Sequence, residues 1–404
     1  MQYYCHCRHR SLTAVMVCLV VSILMIGVVV DATTTATPLR RRIGGGGGGG
    51  GNVIFVSPFG QPKGNGTQSN PFGSVADALA VAQTMDTVVL LPGAYTGADN
   101  FATISTAQLM LTSLDGAAAT VLTGLGDTGL VLRVNAAGVV IDGVTLTNSG
   151  GLLVSTSGAV TLQNSIVSHN VVGVLLRGAS SSSTSFAALN TTLRDNGGSS
   201  CSSDCSTYGY GAVVVDSSAP MGAVSVTLEQ CSLERNRPSA LVLARQATAY
   251  VNQCAFASNG VSSCYGGAMC AVDSTATVRT SSFVENLASY GGALHLLRAQ
   301  LTSQALKLYN NSAASSGGGV YLSSNSNVND QGSAYERNAA LRGSGGAFFI
   351  GSQSDVALQS ASVTGNSATV DGGDFHCDAS GGLYLSRCVV DNNSAPAPSM
   401  CPAK

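Results

Sequence analysis

The chain has 404 residues, a formal net charge of −2, 10% charged residues and no tryptophan. So little charge, so evenly balanced, gives no footprint for nucleic acid or for a strongly charged partner. The 49 glycines, with abundant Ala, Ser, Thr and Val, suit narrow coils and tight corners.

The elements follow in chain order. Residues 11–30 form a weakly polar-to-apolar run behind Arg8 and Arg10, a charge placement that leaves the N-terminus in the cytoplasm and the rest outside. Residues 1–32 are therefore expected to form a hydrophobic helix. It is either a signal peptide cleaved near Val30-Asp31-Ala32 or a retained signal-anchor that tethers the chain to a membrane. Residues 33–51 are rich in Thr, Arg and Gly and read as a flexible linker. In residues 52–100, Val53 to Pro58 reads as a strand and Ser74 as the N-cap of a short amphipathic helix over residues 75–82. Residues 86–95 follow as strand and turn. Such a helix is expected to cover the open end of whatever follows.

From there to residue 395 one motif recurs: an apolar residue, two spacers, an asparagine, then a glycine pair opening a short apolar run. The asparagines fall at Asn170, Asn196, Asn236, Asn259, Asn286, Asn311, Asn338, Asn366 and Asn393. Spacings of 23–28 residues, with one of 40, mark stacked supersecondary units. No run holds helical spacing for three turns, so each unit is a coil of short strands. Aligned, the position five before each asparagine is small in all but Leu306. The position three before is apolar throughout (Val167, Leu193, Leu233, Phe256, Phe283, Leu308, Tyr335, Val363, Val390). Two interior columns two residues apart are the signature of alternating strand faces. The asparagine suits a corner that needs positive φ, and its amides suit a hydrogen-bonded ladder between coils. The Gly-Gly pair suits a second corner with no room for a Cβ.

These motifs carry a family resemblance. Gly266-Gly267-Ala268-Met269, Gly291-Gly292-Ala293-Leu294 and Gly345-Gly346-Ala347-Phe348, with Phe256-Ala257-Ser258-Asn259 and Phe283-Val284-Glu285-Asn286, resemble the GGA-aliphatic and F-x-x-N signatures of chlamydial-type polymorphic outer-membrane repeats. Those repeats lie within the right-handed parallel β-helix superfamily of pectate lyases. The resemblance implies an all-β, single-stranded right-handed parallel β-helix solenoid over residues 101–395, entered through a cap at 52–100 and followed by a tail at 396–404. It also implies an extracellular or cell-surface location. The partner would be a cell-surface or matrix polysaccharide, or a surface protein.

Enzymes of the superfamily act on acidic, pectin-like polysaccharides, the lyases with calcium. Here no Asp-Asp pair exists, and beyond the linker the only lysines are Lys63, Lys307 and Lys404. The sequence therefore favours adhesion or glycan binding without a cofactor. A polysaccharide lyase or glycoside hydrolase is the alternative. One segment keeps that alternative open. In Asp371-Gly372-Gly373-Asp374-Phe375-His376-Cys377-Asp378, strand alternation places Asp374, His376 and Asp378 outward, where a His between carboxylates suits acid–base work or a metal. The column through His376 reads Cys270, His295, Tyr321 and Phe349 in the preceding coils, a set of rings suited to stacking on a sugar.

Nine of the twelve cysteines lie beyond the linker. In an exported chain Cys201 could pair with Cys205 in the Ser-rich insertion. Cys231 could pair with Cys254, its column neighbour, or both could simply sit as buried small residues; a zinc site at Cys201 and Cys205 is the weaker reading. Sequons at Asn65, Asn190, Asn310 and Asn392 are candidate glycosylation sites.

Overall fold

The structure, a computed structural model, describes residues 51–404 except 62, 125, 127–128, 157, 179–182, 199–204, 206–209, 216–222, 399–400 and 402–404. The expected hydrophobic helix and the linker up to residue 50 lie outside the described residues. Among the described residues no helix is long and apolar enough to cross a membrane.

The chain coils into a parallel β-solenoid. Over the described residues it has one sheet of thirteen strands (Val53–Gln61 to Gly382–Ser386, sheet 1) and one of twelve (Gly93–Tyr95 to Val389–Asp391, sheet 2). A third has eleven strands (Ala102–Ile104 to Phe375–Cys377, sheet 3), and a fourth has four strands of two residues each (Leu287–Ala288 to Ser367–Ala368). Every strand pairs in parallel with its counterpart one coil away, as in Phe256↔Phe283 and Tyr321↔Phe349. The interior is one stack of apolar columns, in which Phe256 and Phe283 lie face to face with centroids 4.8 Å apart.

Helix α1 (Val75–Val81) closes the N-terminal end. The Ser74 hydroxyl accepts from the Asp77 amide at 3.1 Å, and Val75 and Ala78 are buried in the same core as the first coils. At the other end the Cys377–Cys401 disulfide ties the tail back to the last coil, with Cα atoms 4.8 Å apart.

The asparagines form the expected ladder. In each coil the Asn amide and its Nδ2 both donate to the Oδ1 of the next Asn, and Nδ2 also donates to a strand carbonyl. For Asn286 these distances are 3.0 and 2.9 Å to Asn311 and 3.0 Å to the Phe256 carbonyl. A buried side-chain amide can be tolerated only when its groups are satisfied in this way. The positive-φ expectation needs correction. None of the ladder asparagines adopts it; the residue just before each does, for example Glu285 (φ 56°), Asn310 (φ 55°) and Arg337 (φ 54°). A second such corner falls five residues earlier, at Thr280, Ala305 and Gly332. The left-handed residue turns the chain, and the asparagine that follows is free to aim its amide inward. The Gly-Gly corner meets its expectation: Gly291 has φ 65°, and a Cβ on Gly292 would fall inside the Gly318 carbonyl.

Candidate functional site

Sheet 3 alternates strictly. Leu294, Leu296, Val320, Leu322, Phe348, Ile350, Phe375 and Cys377 enter the core. The residues between them face outward, and the register joins them into one column: Leu175, Val214, Val242, Cys270, His295, Tyr321, Phe349, His376. The last four carry rings that stack in sequence. Centroids are 5.4 Å apart from His295 to Tyr321, 4.7 Å from Tyr321 to Phe349 and 4.7 Å from Phe349 to His376. The stack is a direct result of the parallel register, which sets equivalent side chains one strand spacing apart.

A second column runs beside the first, formed by the residue before each glycine pair. Backbone pairing and hydrogen bonds order it as Tyr265, Tyr290, Ser316, Ser344, Asp371. Tyr265 leans on His295 at 4.9 Å and Tyr290 on Tyr321 at 5.0 Å. One coil further on, the wall falls from tyrosine to serine, and among the described residues no aromatic of this column stands beside Phe349. It rises again at Asp371. The sequence carried this column in plain view, but its meaning depends on knowing that it flanks the rings.

The two halves of the ring column differ in cover. Val214, Val242 and Cys270 belong to a separate apolar cluster outside the coil, with Val172, Cys205, Cys264 and Val272. The Cys205–Cys270 disulfide, with Cα atoms 6.2 Å apart at a sequence separation of 65, pins Cys205 to the sheet there. His295 lies under this cover: its Nδ1 is 3.3 Å from Cys270 Sγ and it is 4% exposed. It is therefore closed to a ligand, contrary to expectation. Tyr321, Phe349 and His376 remain partly exposed.

At the open end the imidazole of His376 lies between two carboxylates. Nδ1 is 2.7 Å from Asp371 Oδ1, out of line for a regular hydrogen bond, and neither of these sealed atoms has another hydrogen-bond partner. Nε2 is 3.7 Å from Asp378 Oδ1. The side chains of His376, Asp371 and Asp378 are 17%, 19% and 41% exposed, so the group borders solvent without dissolving into it. Asp374, expected in this group, instead accepts from the Phe375 amide at 2.8 Å, and Asp371 takes its place beside the ring. Burial first, then the negative charge of Tyr290, Asp378 and Tyr265, pushes the Tyr321 hydroxyl up to about 12. Calcium, implied by resemblance to the lyases, does not fit here, because the imidazole fills the space between the two carboxylates.

The Cys201–Cys205 pairing is not found, and of the two readings of Cys231 and Cys254 the structure has the unpaired one. Cys205 joins Cys270 rather than Cys201, which lies outside the described residues. Cys231 and Cys254 are buried free thiols in the small column, where Cys254 Sγ accepts from the Cys231 amide at 3.4 Å and both thiols donate to strand carbonyls. There they do the work of Thr191 and Ser281 on the coils to either side, whose hydroxyls also donate to strand carbonyls. Among the described residues one trio has metal-ligand character, Cys205, Cys270 and His295, but its two sulfurs are bonded to each other and offer no thiolate. The four sequon asparagines, Asn65, Asn190, Asn310 and Asn392, are all exposed.

No protein-family model matches the chain, and no curated protein does. Among solved structures it is similar to a pectate lyase (15% identity, 89% of this chain and 82% of that one, TM-score 0.45). It is also similar to a rhamnogalacturonan lyase (13%, 85% and 88%, 0.43) and to a lacto-N-biosidase from Eubacterium ramulus (10%, 86% and 67%, 0.44).

Proposed function

We propose that this chain is a carbohydrate-contact module of the cell exterior, with Tyr321, Phe349 and His376 as its sugar platform. One observation carries the reading: a run of stacked, partly exposed rings on a rigid sheet, beside a wall that drops to serine. Rings presented this way offer apolar area to a sugar face at little entropic cost, because two χ angles fix each of them and the sheet fixes their spacing. The hydrophobic leader in the sequence supports export, and the GGA and F-x-x-N motifs are similar to repeats of surface proteins. A surface protein remains the other partner class for the same platform.

A glycan array probed with the full chain tests this directly. Binding that is lost when Tyr321 and Phe349 are both replaced by Ser supports it; undiminished binding by that variant rejects it. A second reading, catalysis, is favoured by the close Asp371–His376 pair, which would hold the imidazole with Nε2 toward a substrate. Incubation with pectins, alginates and related polymers addresses it. Turnover abolished by His376→Ala would replace the binding role with an enzymatic one.

A further inference from the structure

We propose that the open end of the ring column selects a positively charged sugar, a hexosamine with a free ammonium group, over neutral or acidic sugars. The inference rests on the carbohydrate reading above and deepens it.

Three features converge. The two carboxylates that touch His376, Asp371 and Asp378, outnumber the single imidazole. Both remain partly solvent-accessible, so a ligand ammonium can reach them without a large desolvation cost. The platform beside them, Tyr321 and Phe349, presents ring faces, whose negative quadrupole attracts a cation as well as a sugar's C–H face. Carboxylates at the margin of an aromatic surface are the combination that recognises ammonium groups. A uronate carboxylate at the same place would meet like charge, which disfavours the acidic polymers that the enzymatic alternative requires. Of the cations on these coils, Arg298 is engaged with Asp273 at 2.6 Å, and Arg342 stands exposed at the corner two residues before Ser344. The step from Tyr290 to Ser316 and Ser344 supplies the room: a sugar lying over Phe349 would have its edge toward Asp371.

The test is calorimetric titration of the full chain at about pH 5–6, where an amine is protonated. The ligands are the hexamers of glucosamine, N-acetylglucosamine and galacturonate, together with spermine as an ammonium source without a sugar. The expected result is a glucosamine preference of about tenfold over the N-acetyl hexamer, the order that one or two partly exposed ion pairs provide. In the double variant Asp371→Asn, Asp378→Asn the ratio between the glucosamine and N-acetyl hexamers should collapse to about twofold or less; any loss from a displaced His376 ring is common to both hexamers and cancels in that ratio. Equal affinity for the charged and neutral hexamers, tighter binding of galacturonate, or a preference that survives the double variant overturns the inference. Spermine binding as tightly as the glucosamine hexamer also overturns it, by removing the sugar. If none of the hexamers binds, and the array is blank as well, it is the carbohydrate reading itself that fails. Unchanged thermal unfolding of the double variant separates a lost contact from a lost fold.

Discussion

Cys270 and His295 occupy the same outward column of sheet 3 as Phe349 and His376, on the same scaffold and in the same register. The first pair is buried: Cys270 belongs to an apolar cluster and is disulfide-bonded to Cys205, and His295 lies against its sulfur. The second pair is open, flanked by serines and an Asp. The backbone slot is therefore neutral with respect to function. What stands over the slot decides whether a ring is packing or platform.

The largest expected effect breaks the cover. Replacing Cys205 and Cys270 together by Ser removes a link across 65 residues, and loop-closure entropy puts the loss at about 4 kcal/mol. Denaturant unfolding measures it. Diethyl pyrocarbonate should then modify His295 at a rate nearer that of His376. If His295 stays protected in a folded variant, the disulfide is not what closes that half of the column.

The next experiment asks whether scaffold rather than cover separates the halves. Asn286→Ala and Asn338→Ala each remove side-chain hydrogen bonds from a buried ladder, one in the coil of the covered half and one in the open half. Each should cost about 3 kcal/mol, because buried partners are left unsatisfied. Costs that differ by more than about 1 kcal/mol would show that the halves are unlike beneath the surface as well.

A smaller effect concerns Asp330, an interior carboxyl 1% exposed, whose Oδ1 accepts from Ser303 (2.6 Å) and Ser333 (2.5 Å) while Oδ2 has no partner. Burial raises its pKa above the ordinary carboxylate value. The charged form is thus disfavoured in the fold, so stability falls as pH rises from the unfolded carboxylate range through the raised folded value, and is constant above it. Asp330→Asn should flatten that slope in pH-dependent unfolding; an unchanged slope would assign it elsewhere. The smallest effect lies on the rim. Arg298→Ala breaks an exposed pair with Asp273 and should change stability by no more than about 0.5 kcal/mol.

Much of the fold was legible in the sequence because a solenoid repeats its instructions. Nine asparagines at regular spacing and two interior columns fix the coil, and both reappear as the amide ladder and the core. Corner conformation was harder to read, since the residue that takes positive φ varies from Glu to Arg to Gly and leaves no single-residue signature. At the site, alternation placed His376 outward and Phe375 inward. Asp371 was missed because its approach crosses the glycine corner, where strand alternation no longer applies. The cover was illegible for a related reason: Cys205 reaches Cys270 through tertiary contact, and local spacing pointed to Cys201 instead.

Open rungs of the ring column should contact the sugar, and the outward face of sheet 1, where Thr302, Asn327, Asn329 and Asp355 lie together, should not. The most direct test is the affinity of a bound oligosaccharide for Phe349→Ala and, side by side, for Thr302→Ala on sheet 1. Phe349→Ala should bind about tenfold more weakly, the order of one lost stacking contact, and Thr302→Ala should bind unchanged. Loss in Thr302→Ala with Phe349→Ala unaffected would contradict it.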